Sequence, residues 1–290
     1  MKKFKEPKLI LFLIICLTFL SAGVEKAFPD SFIEIVKSGK PLNILLLGID
    51  ARPGEINARS DTIILVSIDC TLNKAALVWI PRDTKIYTSN KSQKINMINQ
   101  FHGPEATCKE VGKLLDINVN HFILTNFSGF ENIIDILGGI YMYVDIDLSS
   151  PSSGVYLKKG YQHLNGKQAL KYARYRDKEK GDIGRTERQQ KLLQALKNQV
   201  FKKETIIKIP DLLPELQKNI LTNISASDMF YLLNLLLQID KDIITQTLPG
   251  TPYNDPYSGA SYWIVDPQVA RSILNSLFHG HRFEIETCSF

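Results

Sequence analysis

Residues 43–84 decide the fold, and they read NILLLGIDARPGEINARSDTIILVSIDCTLNKAALVWIPRDT. Three apolar runs rich in leucine and β-branched residues lie within this stretch, at 43–47, 62–69 and 75–80. Runs of this length, bounded by glycine and polar residues, predict buried strands. The short segment 72–74 then predicts a hairpin between the second and third strands.

The remainder of the chain alternates helical and strand patterns. Apolar residues at helical spacing predict helices at 105–115, 130–137, 165–172, 186–201, 227–237 and 267–277. Short apolar runs predict further strands at 121–125, 141–146 and 242–248. Asn165 is the expected N-cap of its helix. This alternation predicts an α/β fold, with a single three-layer α/β/α domain around a central, mostly mixed sheet.

The N-terminus carries a targeting pattern. Four lysines among the first eight residues precede an apolar run of 16 residues at 9–24, an arrangement that keeps the N-terminus in the cytoplasm. The run is shorter than the roughly 20 residues that span a bilayer, and the small residues at 21–23 also fit a signal-peptide cleavage site. We therefore predict a signal-anchor (or a cleaved signal peptide that secretes the protein) at 1–24, a linker at 25–40 and an extracytoplasmic domain at 41–290.

The composition is that of an ordinary globular protein, with 44% hydrophobic and 22% charged residues. The net charge of +5 is mild and no basic run with interleaved aromatics occurs, so nucleic acid is not an expected partner. The four cysteines, Cys16, Cys70, Cys108 and Cys288, match no metal-site spacing. We expect partly buried thiols rather than a disulfide framework.

The cations are divided unevenly between lysine and arginine. Of the 35 basic residues only 9 are arginines, and most of these lie in three short segments. The segments contain Arg52 and Arg59, then Arg82, then Arg174, Arg176, Arg185 and Arg188. The planar guanidinium binds phosphate or carboxylate oxygens through paired hydrogen bonds, whereas lysine is a more hydrated point charge. Any single arginine fits a structural ion pair equally well, but the three segments together favour a shared anion site.

Two aspartates lie beside these arginines at the ends of predicted strands. Asp50 follows the strand at 43–47, and Asp61 opens the strand at 62–69, two residues after Arg59. Polar residues at the carboxyl ends of strands commonly bind ligands in α/β sheets, and Mg²⁺ takes one or two carboxylates together with substrate phosphates. We predict a Mg²⁺ or Mn²⁺ site at Asp50 and Asp61. The alternative is that each aspartate only pairs with a neighbouring arginine.

Two further arginine positions have a definite local geometry. Arg82 directly follows the third strand, where Asp83 could either orient it or act as a base. Arg174 and Arg176 are two residues apart, a spacing that separates them on a helix but points both to one side of an extended chain. We therefore expect the preceding helix to unwind near Ala173.

The last arginine segment predicts an anion site on a helix. Arg185, Arg188 and Gln189 stand at positions i, i+3 and i+4, which share one helix face near the positive end of the helix dipole. No Ser-His-Asp or Cys-His pattern competes with this site. His163 is expected to have a structural role.

Six motifs, in this order, resemble the LytR-CpsA-Psr family of cell-envelope glycopolymer phosphotransferases. They are NILLLGIDAR at 43–52, RSDTIILVSID at 59–69, IPRDT at 80–84, KIN at 94–96, HLNGKQALKYARYR at 163–176 and DIGRTERQQ at 182–190. Six ordered motifs are a specific signal. The resemblance covers core motifs at 43–200 closely and the rest of the chain more loosely.

The resemblance implies a membrane-anchored enzyme that moves a glycopolymer (teichoic acid, capsular or related polysaccharide) from undecaprenyl diphosphate to peptidoglycan. It implies Mg²⁺ assistance and an apolar tunnel for the polyprenyl chain. By motif position, the metal residues would be Asp50 and Asp61. The residues predicted to be catalytic are Arg82, Asp83 and Asp61. The phosphate-binding residues would be Arg59, Arg82, Lys94, Arg174, Arg176, Arg185, Arg188 and Gln189.

The reaction that the resemblance implies is phosphoryl transfer, which depends chiefly on positioning and on neutralising charge. Asp83 and Asp61 are both candidates for the base that accepts the hydroxyl proton. A pyrophosphatase side activity would use the same site. The alternatives are a polyprenyl-diphosphate-binding module or an envelope-associated regulator, neither with turnover.

Overall fold

The computed structural model describes residues 31–51, 57–88, 91–150, 155–175, 181–200, 220–225, 227–228, 231, 235 and 243–283. The predicted targeting segment, Arg52, Arg176 and most of the predicted helix at 227–237 lie outside these residues. Within them, no helix combines the length and the apolar character that a membrane crossing needs.

The described residues form strands and helices in alternation along the chain. The strands are β1 (Leu42–Ile49), β2 (Ser60–Asp69), β3 (Lys74–Trp79), β4 (Lys85–Thr88), β5 (Lys91–Lys94), β6 (His121–Asn126), β7 (Ile140–Val144), β8 (Leu148–Ser150), β9 (Val155–Leu157), β10 (Gly160–Leu164), β11 (Ile220–Thr222), β12 (Ile244–Thr247), β13 (Thr251–Asn254) and β14 (Ser261–Ile264). The helices are α1 (Phe32–Lys37), α2 (Asn96–Leu115), α3 (Phe127–Ile136), α4 (Gly166–Arg174), α5 (Gly181–Val200) and α6 (Pro267–Phe278).

The central sheet is mixed, as the sequence predicts. Its strand order is β11-β6-β1-β2-β3-β12. β2 pairs antiparallel with both β1 and β3, which confirms the predicted hairpin, whereas β1–β6 and β3–β12 are parallel pairs. Two parallel strands cannot be joined by a tight turn and need a long crossover connection. Helix α2 lies in the connection between β1 and β6.

Helices cover both faces of this sheet. Leu45 and Leu47 of β1 point to the face that α2 and α6 cover, here called the closed face. Leu46 and Ile64 point to the opposite face, here called the cavity face, where Phe32 of α1 and Leu193 of α5 pack. Side chains alternate between the faces because the strand period is two residues. Near-continuous apolar runs are therefore what a sheet covered on both sides requires.

A second packing unit lies beyond the cavity face. α4 contacts both α3 and α5, and the hairpin sheet β7–β10 packs against the same helices through Ile140, Met142 and Val144. Asn165 caps α4 in a capping box with Gln168, which confirms the predicted N-cap. α4 ends at Arg174, two residues beyond the predicted end at 172, and the extended Tyr175 that follows confirms the expected unwinding near Ala173.

The structure departs from the sequence predictions at two helices. The predicted linker at 25–40 contains α1, and the packed part of the chain begins before residue 41 because Phe32 is fully buried edge-on against His121. α2 begins at Asn96 rather than at 105. It is kinked at Gly103, which has φ 81°, because the residue before Pro104 is disfavoured in helical conformation.

Several short hairpins have too few apolar residues for sequence patterns to predict them. These are β4–β5, β8–β9 and β13–β14, all joined as antiparallel pairs. Cys70 and Cys108 are free thiols, as expected, and burial raises the pKa of the Cys108 thiol.

Candidate active site

A cavity of about 510 Å³ lies between the cavity face of the sheet and helices α3, α4 and α5. The sheet contributes Leu46, Leu47, Gly48, Asp61, Thr62, Ile64, Ile123, Thr125, Asn126 and Ile220 to its lining. The helices contribute Phe127, Phe130, Ile133, Leu170, Ala173, Arg174, Arg185, Gln189, Leu192 and Leu193, and Arg82 completes the set. This volume is in the range of small-molecule and cofactor sites.

The strand register divides the sheet side of this cavity into a polar row and an apolar row. Gly48 is paired with Thr62 on one side and Thr125 on the other. Two residues back along β1, Leu46 is paired with Ile64 and Ile123. Since alternate residues share a face, the two rows are neighbours. The cavity is therefore polar near the carboxyl end of β1 and apolar farther in.

The helices repeat this gradient. On α5, Arg185 and Gln189 line the polar part and Leu192 the apolar part, at i, i+4 and i+7 on one helix face. Gln189 Nε2 donates to Thr62 Oγ1 at 3.3 Å, which joins the helix to the polar row of the sheet. Arg185 is only 8% exposed, so its charge acts in a partly desolvated site.

Four charged residues form an ion-pair chain at the polar end of the cavity. Arg82 Nη1 donates to Asp61 Oδ1 at 2.9 Å, and Arg82 Nε lies 3.6 Å from Asp83 Oδ2. Lys94 Nζ lies 2.8 Å from Asp83 Oδ1. All four side chains are about one-quarter exposed. The alternating charges hold Arg82 between two carboxylates, so its guanidinium is oriented before any ligand arrives.

A second ion pair lies at the same end of the sheet. Arg174 Nη2 is 3.1 Å from Asp50 Oδ2, and the Arg174 guanidinium carbon lies 4.1 Å from the centroid of the Phe127 ring. Stacking on an aromatic face fixes the plane of the guanidinium. Phe127 also begins α3, so the positive end of that helix dipole faces the same polar region.

A polar tie behind the cavity connects three elements. Asp145, just after β7, accepts from the Tyr172 hydroxyl of α4 at 3.0 Å and from Lys191 of α5 at 2.6 Å. Burial raises the pKa of Asp145, but the hydrogen bonds from Lys191 and Tyr172 outweigh it and hold the pKa below its usual range. Burial and the bond to Asp145 raise the pKa of Tyr172. This tie holds the two helices in place over the cavity.

Several predicted site residues meet here, and others do not. Asp61, Arg82, Arg174, Arg185 and Gln189 line the cavity. Asp83 and Asp50 form ion pairs with Arg82 and Arg174 of that set, and Lys94 is paired with Asp83. Their roles in binding and catalysis stay predictions at this point.

Arg59 and Arg188 are two predicted arginines that are not among the residues lining the cavity. Arg59 is exposed, with its Nε 3.4 Å from Gln100 Oε1, because the chain before β2 is held against α2 by a bond from Asn99 to the Ala58 carbonyl. Arg188 is 3% exposed and its guanidinium lies 5.2 Å from the Tyr175 ring. Arg185 and Gln189 therefore share the predicted face without Arg188.

Sequence reasoning missed the residues that give the cavity its shape. Phe127, Phe130, Ile133 and Leu170 line it, but an apolar residue on a helix face signals only burial. For Thr62, likewise, the pattern predicts only a position in a strand. Gly48 lies opposite Thr62, and a Cβ at position 48 would stand 3.0 Å from Thr62 Cβ. The glycine within an apolar strand is therefore the local signal of this close contact.

The described residues contain no group of three or more His, Cys, Asp or Glu side chains placed to hold a metal ion. The residues predicted to hold the metal remain Asp50 and Asp61. Each uses one carboxylate oxygen for an arginine, and in the described part of the chain the other oxygen has no hydrogen-bond partner. Two hard oxygen donors, supplemented by phosphate oxygens and water, fit Mg²⁺ or Mn²⁺.

The sequence of the chain matches a known protein family. The LytR_cpsA_psr family model matches residues 21–279. The chain therefore belongs to the LytR-CpsA-Psr family, as its motifs predict.

Curated relatives and a solved structure refine this likeness. A protein of Bacillus mycoides named polyisoprenyl-teichoic acid–peptidoglycan teichoic acid transferase TagU is 34% identical over 263 residues, covering 89% of this chain and 82% of the relative. Regulatory protein MsrR of Staphylococcus aureus is 36% identical over 220 residues, covering 74% of this chain and 66% of the relative. A structure of TagT bound to LI-WTA has a TM-score of 0.65 at 26% identity, covering 90% of this chain and 96% of TagT.

Proposed function

We propose that this protein transfers a glycopolymer from an undecaprenyl diphosphate carrier to peptidoglycan. The observation that carries the proposal is the gradient of the cavity, with arginines at one end and apolar side chains at the other. A lipid diphosphate has the complementary form, an anionic head group on an apolar tail. The name of the TagU relative, a teichoic acid transferase acting on polyisoprenyl-linked substrate, supports the same substrate class.

The head group would be held by arginines from two of the three arginine segments. Arg82 and Arg174 each come with a carboxylate partner and Arg185 is largely buried. Guanidinium groups that are oriented in advance stabilise the charge that develops on phosphate oxygens without reorganising during the reaction. Arg176, in the same sequence motif as Arg174, is proposed to join them. The polyprenyl tail would lie along Leu46 and its apolar neighbours.

In the proposed reaction an acceptor hydroxyl attacks the phosphorus that carries the glycan. The new O–P bond forms as the bond to the bridging oxygen breaks, and polyprenyl phosphate leaves. Asp83 is our choice for the carboxylate that accepts the hydroxyl proton. Asp61 lines the cavity that the lipid diphosphate would fill, whereas Asp83 lies outside this lining, on the side from which an acceptor would approach. Lys94 would keep the Asp83 carboxylate aligned.

Asp50 and Asp61 would hold a Mg²⁺ or Mn²⁺ ion together with the diphosphate. When bound, such an ion supplies charge neutralisation at the phosphate oxygens. Residues 1–24 would keep the enzyme at the outer side of the cell membrane, and without that anchor it would be secreted. The regulatory name of one relative supports a second candidate, a lipid-diphosphate-binding regulator without turnover.

The test uses the full-length chain in detergent with a polyprenyl diphosphate-linked glycan, Mg²⁺ and soluble peptidoglycan. We expect polyprenyl phosphate to be released as glycan appears on the acceptor, and we expect EDTA to slow both. Release without acceptor would reveal the pyrophosphatase side activity. Tight lipid binding with neither product would favour the binding regulator, and no lipid binding would refute both.

A further inference from the structure

Two hairpins meet beside Asp83. Thr84 forms a parallel bridge with Trp263 of β14, and the Trp263 amide donates to the Asp83 carbonyl at 2.9 Å. The chain continues from Thr84 directly into the hairpin β4–β5. Both hairpins are therefore fixed to the segment that carries Arg82 and Asp83.

Aromatic and basic side chains of these hairpins form one surface. Lys85 Nζ lies 5.6, 5.5 and 5.0 Å from the ring centroids of Tyr87, Tyr253 and Tyr262. Lys94 Nζ, which contacts Asp83, lies 6.0 Å from the Tyr262 ring. Tyr253 and Tyr262 are directly opposite each other across the β13–β14 pair. We call these five residues the hairpin platform.

The exposure of its members shows that the hairpin platform is more than a packing cluster. Tyr262 is 9% exposed and joins the hairpin to the domain, whereas Tyr87 is 72% and Tyr253 41% exposed. Rings that are left this open contribute little burial to the fold. Clustered exposed aromatic surface is typical of binding sites.

The position of the hairpin platform suits the second substrate of the proposed reaction. Asp83 and Lys94 do not line the cavity, while Arg82 does, so the hairpin platform begins where the donor site ends. An acceptor hydroxyl must reach Asp83 while the lipid diphosphate fills the cavity. The remainder of the acceptor then has to lie on the surface next to Asp83.

We infer that the hairpin platform binds the acceptor as a glycan strand of amino sugars that carries carboxylates, an assignment that rests on the proposed function. The C–H face of a pyranose ring packs on an aromatic ring, and Tyr87 and Tyr253 offer such rings with hydroxyls at their edge. Lys85 and Lys94 complement the carboxylates of the strand. Binding there directs one sugar hydroxyl to Asp83.

The first experiment measures binding without turnover. The full-length chain in detergent is titrated with uncross-linked peptidoglycan oligomers released by a muramidase. Tyr87→Ala and Tyr253→Ala should each weaken binding about tenfold, while Tyr87→Phe, which retains the ring, should bind within about threefold of wild type. Tyr161→Ala is the matched control, since Tyr161 is also a 72% exposed strand tyrosine, on the distant β7–β10 sheet.

A wild type that fails to bind the oligomers would overturn the inference, and so would wild-type binding by both alanine variants. Loss of binding in Tyr161→Ala alone would assign the glycan to the other sheet and equally refute the hairpin platform. The proposed function is judged separately, by binding of polyprenyl diphosphate to the same preparations without oligomer. During turnover, Tyr87→Ala should raise the acceptor KM about tenfold and leave kcat near wild type.

Discussion

The two faces of the central sheet start from the same strands but meet their helices differently. Leu45 and Leu46 are neighbours on β1, and alternation sends one to each face. Leu45 is fully buried in a continuous core with α2 and α6. Leu46 faces the cavity of about 510 Å³ beneath α3, α4 and α5. The closed face is filled by its helices, whereas the helices on the other face leave a cavity beside a packed core.

This difference separates stability from binding within one sheet. On the closed face each side chain gains dispersion contacts on all sides, whereas side chains at a cavity lose part of them. The helices over the cavity are held by polar bonds at its edge, through Asp145 behind it and Gln189 beside it. A cavity that remains open in this way is available for an apolar tail.

The largest expected effect is on transfer by Arg82→Ala. Arg82 is the only cavity residue that forms ion pairs with both Asp61 and Asp83 within the described chain. In the proposed reaction its charge lies beside the transferred phosphate, and the substitution removes that charge. We expect the transfer rate to fall about 10³-fold with the melting temperature nearly unchanged. Arg271→Ala is the control, an exposed arginine on α6 of the closed face. Wild-type transfer by Arg82→Ala would refute the site.

The next effect concerns stability and compares Leu45→Ala with Leu46→Ala. The first removes a fully packed side chain and should lower the free energy of unfolding by about 3 kcal/mol. The second removes a side chain that already borders empty space and should cost about 1 kcal/mol. Urea denaturation measures both. Equal losses would mean that the cavity face is packed as tightly as the closed face.

A smaller effect is expected on lipid binding when the cavity is filled. Leu46→Trp adds a large ring in the apolar row and should weaken binding of polyprenyl diphosphate about tenfold. Leu46→Met keeps the volume nearly constant and should bind like wild type. Unchanged binding by a folded Leu46→Trp variant would show that the tail lies elsewhere.

The smallest effect concerns the polar tie and depends on pH. Asp145→Asn removes the charge that Lys191 and Tyr172 bind, and at pH 7 it should lower the free energy of unfolding by about 1 kcal/mol. Because the pKa of Asp145 is lowered in the folded state, its stabilisation is present above about pH 4 and is lost as pH falls through the lowered pKa. The difference between variant and wild type should therefore disappear in acid. A pH-independent difference would refute the ionic role.

The strands and caps could be predicted because their signals are local. The runs at 43–47, 62–69 and 75–80 are apolar throughout, and a sheet covered on both faces needs that pattern. Asn165 is followed three residues later by Gln168, which is a capping box in sequence and in structure. The short hairpins β4–β5 and β13–β14 are held by contacts between distant segments, so no local pattern indicates them.

The sequence by itself determined the family, the mixed sheet and the concentration of arginine in a few segments, because each is written in residue order and local spacing. Tertiary structure alone decided which arginines meet. It brought Arg82, Arg174 and Arg185 to one cavity and left Arg59 against α2. It also decided that one sheet face is filled while the other is open, since the packing of distant helices, rather than the pattern of any one strand, determines where a cavity remains.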